Sequence, residues 1–229
     1  MKPWPPPVGD SPPIADLRRG AARAAASSPQ TASDRWARAL DRIAALRAQL
    51  IRISGTGSYS QAQYTNAQAF VVLSHAVIEE YIERMVLEVV DASIIAFKNH
   101  GIQSSCLLAL LTYTRNEPAP EELIPGPWSL HARIRGARQV LWRDIEVNHG
   151  LQESNVVPLY LRAGLKESDM ARAWLDDMNE LGRLRGRIAH TTNGPGATAP
   201  DDPGDVLERV KSVLPALSWL DHRMVMLKP

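Results

Sequence analysis

Residues 171–192, ARAWLDDMNELGRLRGRIAHTT, carry the side chains best suited to chemistry. Placed at about 100° per residue on a helix, the segment has one apolar stripe, made of Trp174, Met178, Leu181 and Ile188. Position 185, where this stripe needs another apolar side chain, holds an arginine. Burying a guanidinium is costly unless an anion meets it. Arg185 is therefore predicted either to pair with an acid or to bind an anion.

Two glycines and a histidine accompany this arginine. Gly182 and Gly186 each weaken a helix interior by about 1 kcal/mol relative to alanine, so we expect another backbone or a substrate to approach closely there. His190 follows where the sequence indicates the end of the helix, and it titrates near neutral pH. Anion binding and proton transfer are the chemistry of this pair. The alternative is a surface arginine cluster with a histidine that caps the last carbonyls.

Three matches to one family follow the order of the chain. LRGRIAH at 184–190 resembles the Arg-x4-6-His signature of HEPN domains, and it is similar to the prokaryotic RiboL-PSP-type HEPN group. SHAVIEEYI at 74–82 resembles the acid-containing segment of the long early helix in these families. NVVPLYLRAGL at 155–165 resembles the lead-in to the signature helix. Gly186 departs from the family, which usually has a polar residue, often Asn, directly after the arginine.

This resemblance implies a metal-independent endoribonuclease without a cofactor, in which Arg185 and His190 are the catalytic pair. The ribose 2′-OH attacks the adjacent phosphate and leaves a 2′,3′-cyclic phosphate. His190 would move the proton, and Arg185 would hold the phosphate in a bidentate fork. The resemblance also implies a homodimer, an RNA substrate, and an antitoxin or defence-system partner protein. The expected role is a toxin or effector of a prokaryotic toxin–antitoxin or antiphage defence system.

Other side chains are candidates for supporting roles. Glu79 lies at the border of the apolar face of the early helix and either pairs with Arg185 or is an ordinary boundary carboxylate. Arg183 and Arg187 lie on the solvated face and are candidate substrate-binding residues, and each is also a candidate to compensate for Gly186. His75 lies on the apolar face of the early helix and is interpreted as a core histidine. The remaining histidines lack metal-ligand spacing, so no metal site is predicted.

Composition excludes several other classes of protein. The 26 Lys and Arg residues against 25 Asp and Glu residues give a net charge of +1, which excludes a strongly basic nucleic-acid coat but not a local basic site. Cys106 is the only cysteine, so no disulfide framework is predicted, and it is expected to be a small buried core residue. The sequence shows no secretory signal and no membrane helix, so we expect a cytoplasmic protein without membrane association.

The predicted fold class is all-α, a HEPN-like helical bundle with a long early helix. Ala, Leu and Arg outnumber the β-branched residues, and aromatic residues are only 6 %. Residues 1–30 are predicted to be a flexible Pro/Ala-rich arm, and 31–229 to be one helical domain. Helices are expected at about 34–52, 61–98, 104–114, 130–148, 167–189 and 205–226, with 155–161 ambiguous and 116–129 a loop.

Three functions remain open on the sequence alone. The first is the endoribonuclease, which the intact Arg185 and His190 pair favours. The second is a non-catalytic HEPN module for dimerisation or RNA binding that works with a separately encoded partner protein, which Gly186 favours. The third is a helical interaction domain in which the motif is a coincidence.

Overall fold

The computed structural model describes residues 33–55, 57–114, 130–190 and 201–229, with only the backbone position of His190. In these ranges the chain forms α-helices and one short 3-10 turn at Glu167–Asp169, without a β-strand, so the all-α prediction is confirmed. The helices are α1 (Asp34–Leu50), α2 (Gln61–His100), α3 (Ser105–Tyr113), α4 (Leu130–Glu146), α5 (Glu153–Arg162), α6 (Arg172–His190) and α7 (Pro203–Met226). The predicted arm at 1–30 and the predicted loop at 116–129 lie outside the described residues.

Capping residues set the ends of the first two helices. The Ser33 hydroxyl accepts a hydrogen bond from the Trp36 N–H at 3.1 Å and caps α1. Helix α2 is 40 residues long and confirms the predicted long early helix. Gly101 follows it with a φ of +70°, and its N–H donates to the Phe97 carbonyl at 2.9 Å. This left-handed glycine is the C-terminal cap of α2.

The segment that the sequence leaves ambiguous is helix α5. Pro158 lies inside it and lacks the N–H that a helix interior uses, which obscures the helical pattern in the sequence. Three buried side chains form its apolar face, Val156, Leu159 and Tyr160. Their burial stabilises the helix by several kcal/mol, about 1.5–3 for each large apolar side chain, and offsets the missing hydrogen bond.

The described residues divide into two compact units. The first comprises those within Met1–Tyr81, Leu151–Glu153 and Met170–His222, and the second those within Ile82–Gly150, Ser154–Asp169 and Arg223–Pro229. Helix α2 contributes its first half to the first unit and its second half to the second. No described helix is long and apolar enough to cross a membrane. The α6 candidates and Glu79 all belong to the first unit.

A fully buried carboxylate joins three helices of the first unit. Asp221 of α7 accepts hydrogen bonds from the Ser33 N–H at 2.8 Å, from the Ser33 hydroxyl, and from the Tyr81 hydroxyl at 2.9 Å. Ser33 caps α1 and Tyr81 belongs to α2. A buried charge needs such a set of donors, so Asp221 fixes the start of α1 against α2 and α7.

In the second unit the chain packs closely around Cys106 of α3. A Cβ on Gly164 would lie 3.1 Å from the Cys106 Cα, and Gly164 has a φ of +99°, so only glycine suits this position. Cys106 is fully buried, as predicted. Burial raises the pKa of its thiol to about 11. The thiol is therefore protonated and unreactive at neutral pH.

Candidate functional site

Helix α6 carries the predicted catalytic pair in its C-terminal half. Its first turns bury the predicted apolar stripe, which here consists of Trp174, Met178 and Leu181. Beyond Leu181 the burial departs from the prediction, because Leu184 is fully buried whereas Arg185 and Ile188 are half-buried. Leu184 and Arg185 both lie about one turn from Leu181, and the leucine takes the core position. Arg185 therefore lies at the border of the apolar face, not in its middle.

The guanidinium of Arg185 lies near a buried histidine of α2. His75 is only 2 % exposed. The pKa of its imidazole is lowered from 6.5 to about 4, first by burial and second by the positive charge of Arg185. Because both effects disfavour the imidazolium, His75 is neutral at pH 7. The core position expected for His75 is confirmed, and the structure adds its proximity to Arg185.

Glu79 lies one turn beyond His75 on α2. Its Oε2 is 3.8 Å from His75 Nδ1, which is too long for a hydrogen bond, and a neutral imidazole forms no ion pair. Glu79 adjoins His75, and among the described residues no ion pair within 4 Å joins Arg185 to a carboxylate. We call Arg185, His75 and Glu79 the His75 cluster. It places the cation of Arg185 beside a buried, neutral imidazole.

The second nitrogen of His75 is buried without a hydrogen bond. No described residue meets His75 Nε2 at hydrogen-bond distance. Such an atom costs about 1–3 kcal/mol, and native proteins keep one where a water, a ligand or a catalytic role uses it. The His75 cluster therefore has an unused polar atom beside an arginine that lacks an acid partner among the described side chains.

The two candidate substrate-binding arginines are exposed, as predicted. The exposed Arg187 lies 3.6 Å from the carboxylate of the half-buried Asp201, a distance at which such a pair contributes little stability. The pKa of Asp176 is lowered mainly by its hydrogen bond from Arg172 and also by the charge of Arg183. Both arginines thus contribute positive potential along the exposed side of α6.

The two glycines of α6 differ in their surroundings. A Cβ on Gly182 would lie 2.9 Å from Gln152 Cγ and 3.5 Å from the Gln152 backbone nitrogen. The chain itself therefore makes the close approach that the sequence predicts at this position. At Gly186, apart from the neighbouring residues Arg185 and Arg187 and the backbone of α6, no described atom lies within 4 Å of such a Cβ. Among the described residues, no other part of the chain packs against this position.

His190 is the last residue of α6, four positions beyond Gly186. Residues 191–200 lie outside the described residues, so the predicted end of the helix at the histidine stays a prediction. The proton-transfer role expected of His190 rests on its residue type.

Sequence reasoning missed the environment of Arg185. The signal was present, because His75 lies four residues before Glu79, the predicted acid, and therefore shares its face of α2. What the sequence could not give is which part of α2 packs beside α6.

No family model matches the chain, and no curated protein or solved structure matches it either. The resemblance to HEPN domains therefore stays a prediction that rests on the motif residues.

Proposed function

We propose that this protein is a metal-independent endoribonuclease of the HEPN type, with Arg185 and His190 as its catalytic pair. The observation that carries the proposal is the half-buried guanidinium of Arg185, which forms no ion pair with a described carboxylate, on the helix that His190 ends. A guanidinium in this setting suits a phosphate diester, since it can make two parallel charge-assisted hydrogen bonds.

In this mechanism His190 takes the proton from the ribose 2′-OH, and the oxygen attacks the neighbouring phosphorus. The bond to the 5′ oxygen breaks, this oxygen takes the proton back from the His190 imidazolium, and the products are a 2′,3′-cyclic phosphate and a 5′-hydroxyl. Arg185 stabilises the negative charge that develops on the phosphate. The 2′-OH is the nucleophile, so RNA is cleaved and DNA is not. No step requires a metal or a cofactor.

Neutral His75 has a supporting role in this proposal. It neither competes with the phosphate for Arg185, as a carboxylate would, nor repels the guanidinium, as an imidazolium would. Glu79 adjoins His75 at the side of Nδ1. His75 therefore leaves the Arg185 charge to the phosphate, and Arg183 and Arg187 attract the RNA backbone from solvent.

We propose that the active form is a homodimer whose interface includes α6. One arginine and one histidine make a small site, and a second copy would double it. The open space at Gly186 leaves room for the backbone of a second copy. A specific dimer buries at least about 1,000 Å². A dimer mass by light scattering at micromolar concentration supports this, and a monomer mass contradicts it.

The cell role that we propose is a toxin or effector of a defence or toxin–antitoxin system, held in check by a partner protein. Induced expression in a bacterial host should then arrest growth, whereas Arg185→Ala should be tolerated at equal protein level. Growth arrest by both forms would contradict the nuclease as its cause.

Gly186 favours a second candidate, a non-catalytic RNA-binding or dimerisation module. The family's polar residue is absent, and its position faces open space among the described residues. Gly186→Asn separates the two candidates. If the protein is a nuclease, Gly186→Asn should cleave RNA faster than wild type. If neither wild type nor Gly186→Asn cleaves RNA, the result supports the non-catalytic module.

The end groups of the RNA products test the proposed function directly. A nuclease of this type leaves 2′,3′-cyclic phosphate and 5′-hydroxyl ends, and an RNA with 2′-deoxy sugars at the cleaved positions resists. Products with 3′-hydroxyl and 5′-phosphate ends would contradict the mechanism, since they require an external water as the nucleophile.

A further inference from the structure

Helix α4 presents a basic and aromatic face in the second unit. Arg135, Arg138, Gln139 and Trp142 recur at helical spacing and line an open groove of about 320 Å³. The helix carries four arginines against two acids, in a chain whose net charge is only +1. This concentration of positive charge is local and belongs to none of the motif residues on α6.

The aromatic part of the groove is held in place. Arg138 makes two hydrogen bonds to Asp91 of α2, at 2.9 and 3.0 Å. The same guanidinium lies over the Trp142 ring, 5.7 Å from the ring centroid. Because Asp91 fixes Arg138, the cation–π contact restrains the indole before any ligand arrives. Trp142 nevertheless remains 36 % exposed, which leaves ring surface for a ligand.

The polar part of the groove is available. Arg135 is exposed and forms no ion pair with a described residue. Gln139 is also exposed, and its amide offers both a donor and an acceptor. A free guanidinium suits a phosphate, an amide suits a base edge, and an indole suits the face of a base. A single-stranded nucleic acid supplies all three partners within one or two nucleotides.

We propose that this α4 face binds single-stranded RNA, with a base stacked on Trp142 and a phosphate on Arg135. The proposal rests on the proposed function in taking RNA as the ligand, and it adds a binding site that cleaves nothing. An acidic peptide could satisfy the arginines, but it supplies no planar base for the indole, so RNA fits the combination better. The site lies within the second unit and does not involve the Arg185 and His190 pair.

The test measures binding without cleavage. A fluorescein-labelled 12-nucleotide RNA with 2′-O-methyl riboses lacks the nucleophile, and fluorescence anisotropy with the full chain in EDTA gives its affinity. Trp142→Ala should weaken binding by about fivefold or more, whereas Trp142→Phe keeps a ring and most of the affinity. Arg135→Ala should weaken binding and reduce the salt slope of log K by about 0.7.

Arg133→Ala is the matched control, because Arg133 is exposed on α4 at about 160° from Arg135 and its loss removes the same charge. It should bind RNA within about twofold of wild type. Wild-type affinity in both Trp142→Ala and Arg135→Ala would overturn the proposal, as would an equal loss in Arg133→Ala. Binding of a glutamate-rich peptide but not of RNA would overturn it too.

Cleavage of ordinary RNA separates this proposal from the proposed function. If the α4 variants weaken binding of 2′-O-methyl RNA while the chain cleaves nothing, the RNA-binding face stands and the nuclease falls. If the chain cleaves RNA but the α4 variants bind and cleave as wild type does, the nuclease stands and this face falls.

Discussion

The charge of Arg185 on α6 and the imidazole of His75 on α2 are coupled, because the guanidinium opposes protonation of the buried ring. The coupling works in both directions. An anion bound at Arg185 should raise the pKa of His75, and a proton on His75 should in turn favour anion binding at Arg185. Phosphate binding at Arg185 is therefore predicted to be readable as a change in the titration of His75.

The first prediction concerns acid stability. The pKa of His75 is about 4 in the folded chain and 6.5 in the unfolded chain. Between pH 4 and pH 6.5 His75 is therefore protonated in the unfolded chain and neutral in the folded chain. Stability is therefore complete above pH 6.5 and declines as the pH falls toward 4, by about 3 kcal/mol at the acid end. Urea denaturation at pH 7.5, 5.5 and 4.5 measures this.

His75→Gln should remove that part of the pH dependence, because glutamine does not titrate. Other acids titrate in both chains, so the difference between wild type and variant is the relevant quantity. His149→Gln, at an exposed position, is the control. An unchanged pH dependence in His75→Gln would contradict the buried neutral imidazole.

Arg185 variants separate its charge from its shape. Arg185→Ala should raise the pKa of His75, although not to 6.5, because burial is the larger cause of the shift. Arg185→Lys retains the positive charge and should leave that pKa low. NMR titration of the imidazole distinguishes the two variants, and equal pKa values in both would contradict the coupling.

RNA cleavage should depend on the guanidinium itself. Arg185→Ala should lose cleavage and bind RNA more weakly, since it removes a charge-assisted contact. Arg185→Lys should not restore cleavage, because an ammonium cannot reproduce the planar fork. Arg185→Ala should fold with equal or higher stability, because it removes a half-buried charge. Unfolding of Arg185→Ala in circular dichroism would assign the arginine a structural role instead.

The fold was predictable where local signals agree. The sequence shows a capping serine, Ser33, before α1 and a glycine, Gly101, after α2. It also shows the long helical repeat of apolar residues that forms the 40-residue α2. Helix α5 was not, because Pro158 masks its pattern. The motif residues of α6 could be selected from their spacing, but the burial of Leu184 instead of Arg185 depends on packing against other helices.

The proximity of His75 to Arg185 could not be predicted either, since His75 lies 110 positions earlier in the sequence. Spacing within α2 identifies its apolar face but not the residue that meets Arg185. The α4 groove depends in the same way on a long-range contact, the pairing of Arg138 with Asp91.

Asp221 should be essential for the stability of the first unit. Asp221→Ala leaves the buried donors of Ser33 and Tyr81 without their acceptor, so we expect a loss of about 2–4 kcal/mol. Tyr81→Phe removes only one of these hydrogen bonds and should cost about 1 kcal/mol. Thermal melts of the two variants measure the difference. A loss below that of Tyr81→Phe would contradict the described role of Asp221.

The two α6 glycines should respond oppositely to alanine. Gly186→Ala adds a methyl group to open space and should stabilise the chain by about 0.5–1 kcal/mol, through helix propensity alone. Gly182→Ala places its Cβ against Gln152 and must displace that side chain. The cost of this displacement cancels the gain in helix propensity, so the variant should be no more stable than wild type. Chemical denaturation of the two variants compares them, and a less stable Gly186→Ala would contradict the open space.

The proposed catalytic role of His190 is tested by degradation of total RNA in EDTA, with the purified wild-type chain compared with His190→Ala. Wild type should cleave RNA without metal, and His190→Ala should cleave it at least about 10²-fold more slowly, because general base catalysis contributes about 10²–10⁴-fold. RNA binding and the thermal melt of the variant should remain close to wild type. Cleavage by His190→Ala at the wild-type rate, or no cleavage by either protein, would contradict the account.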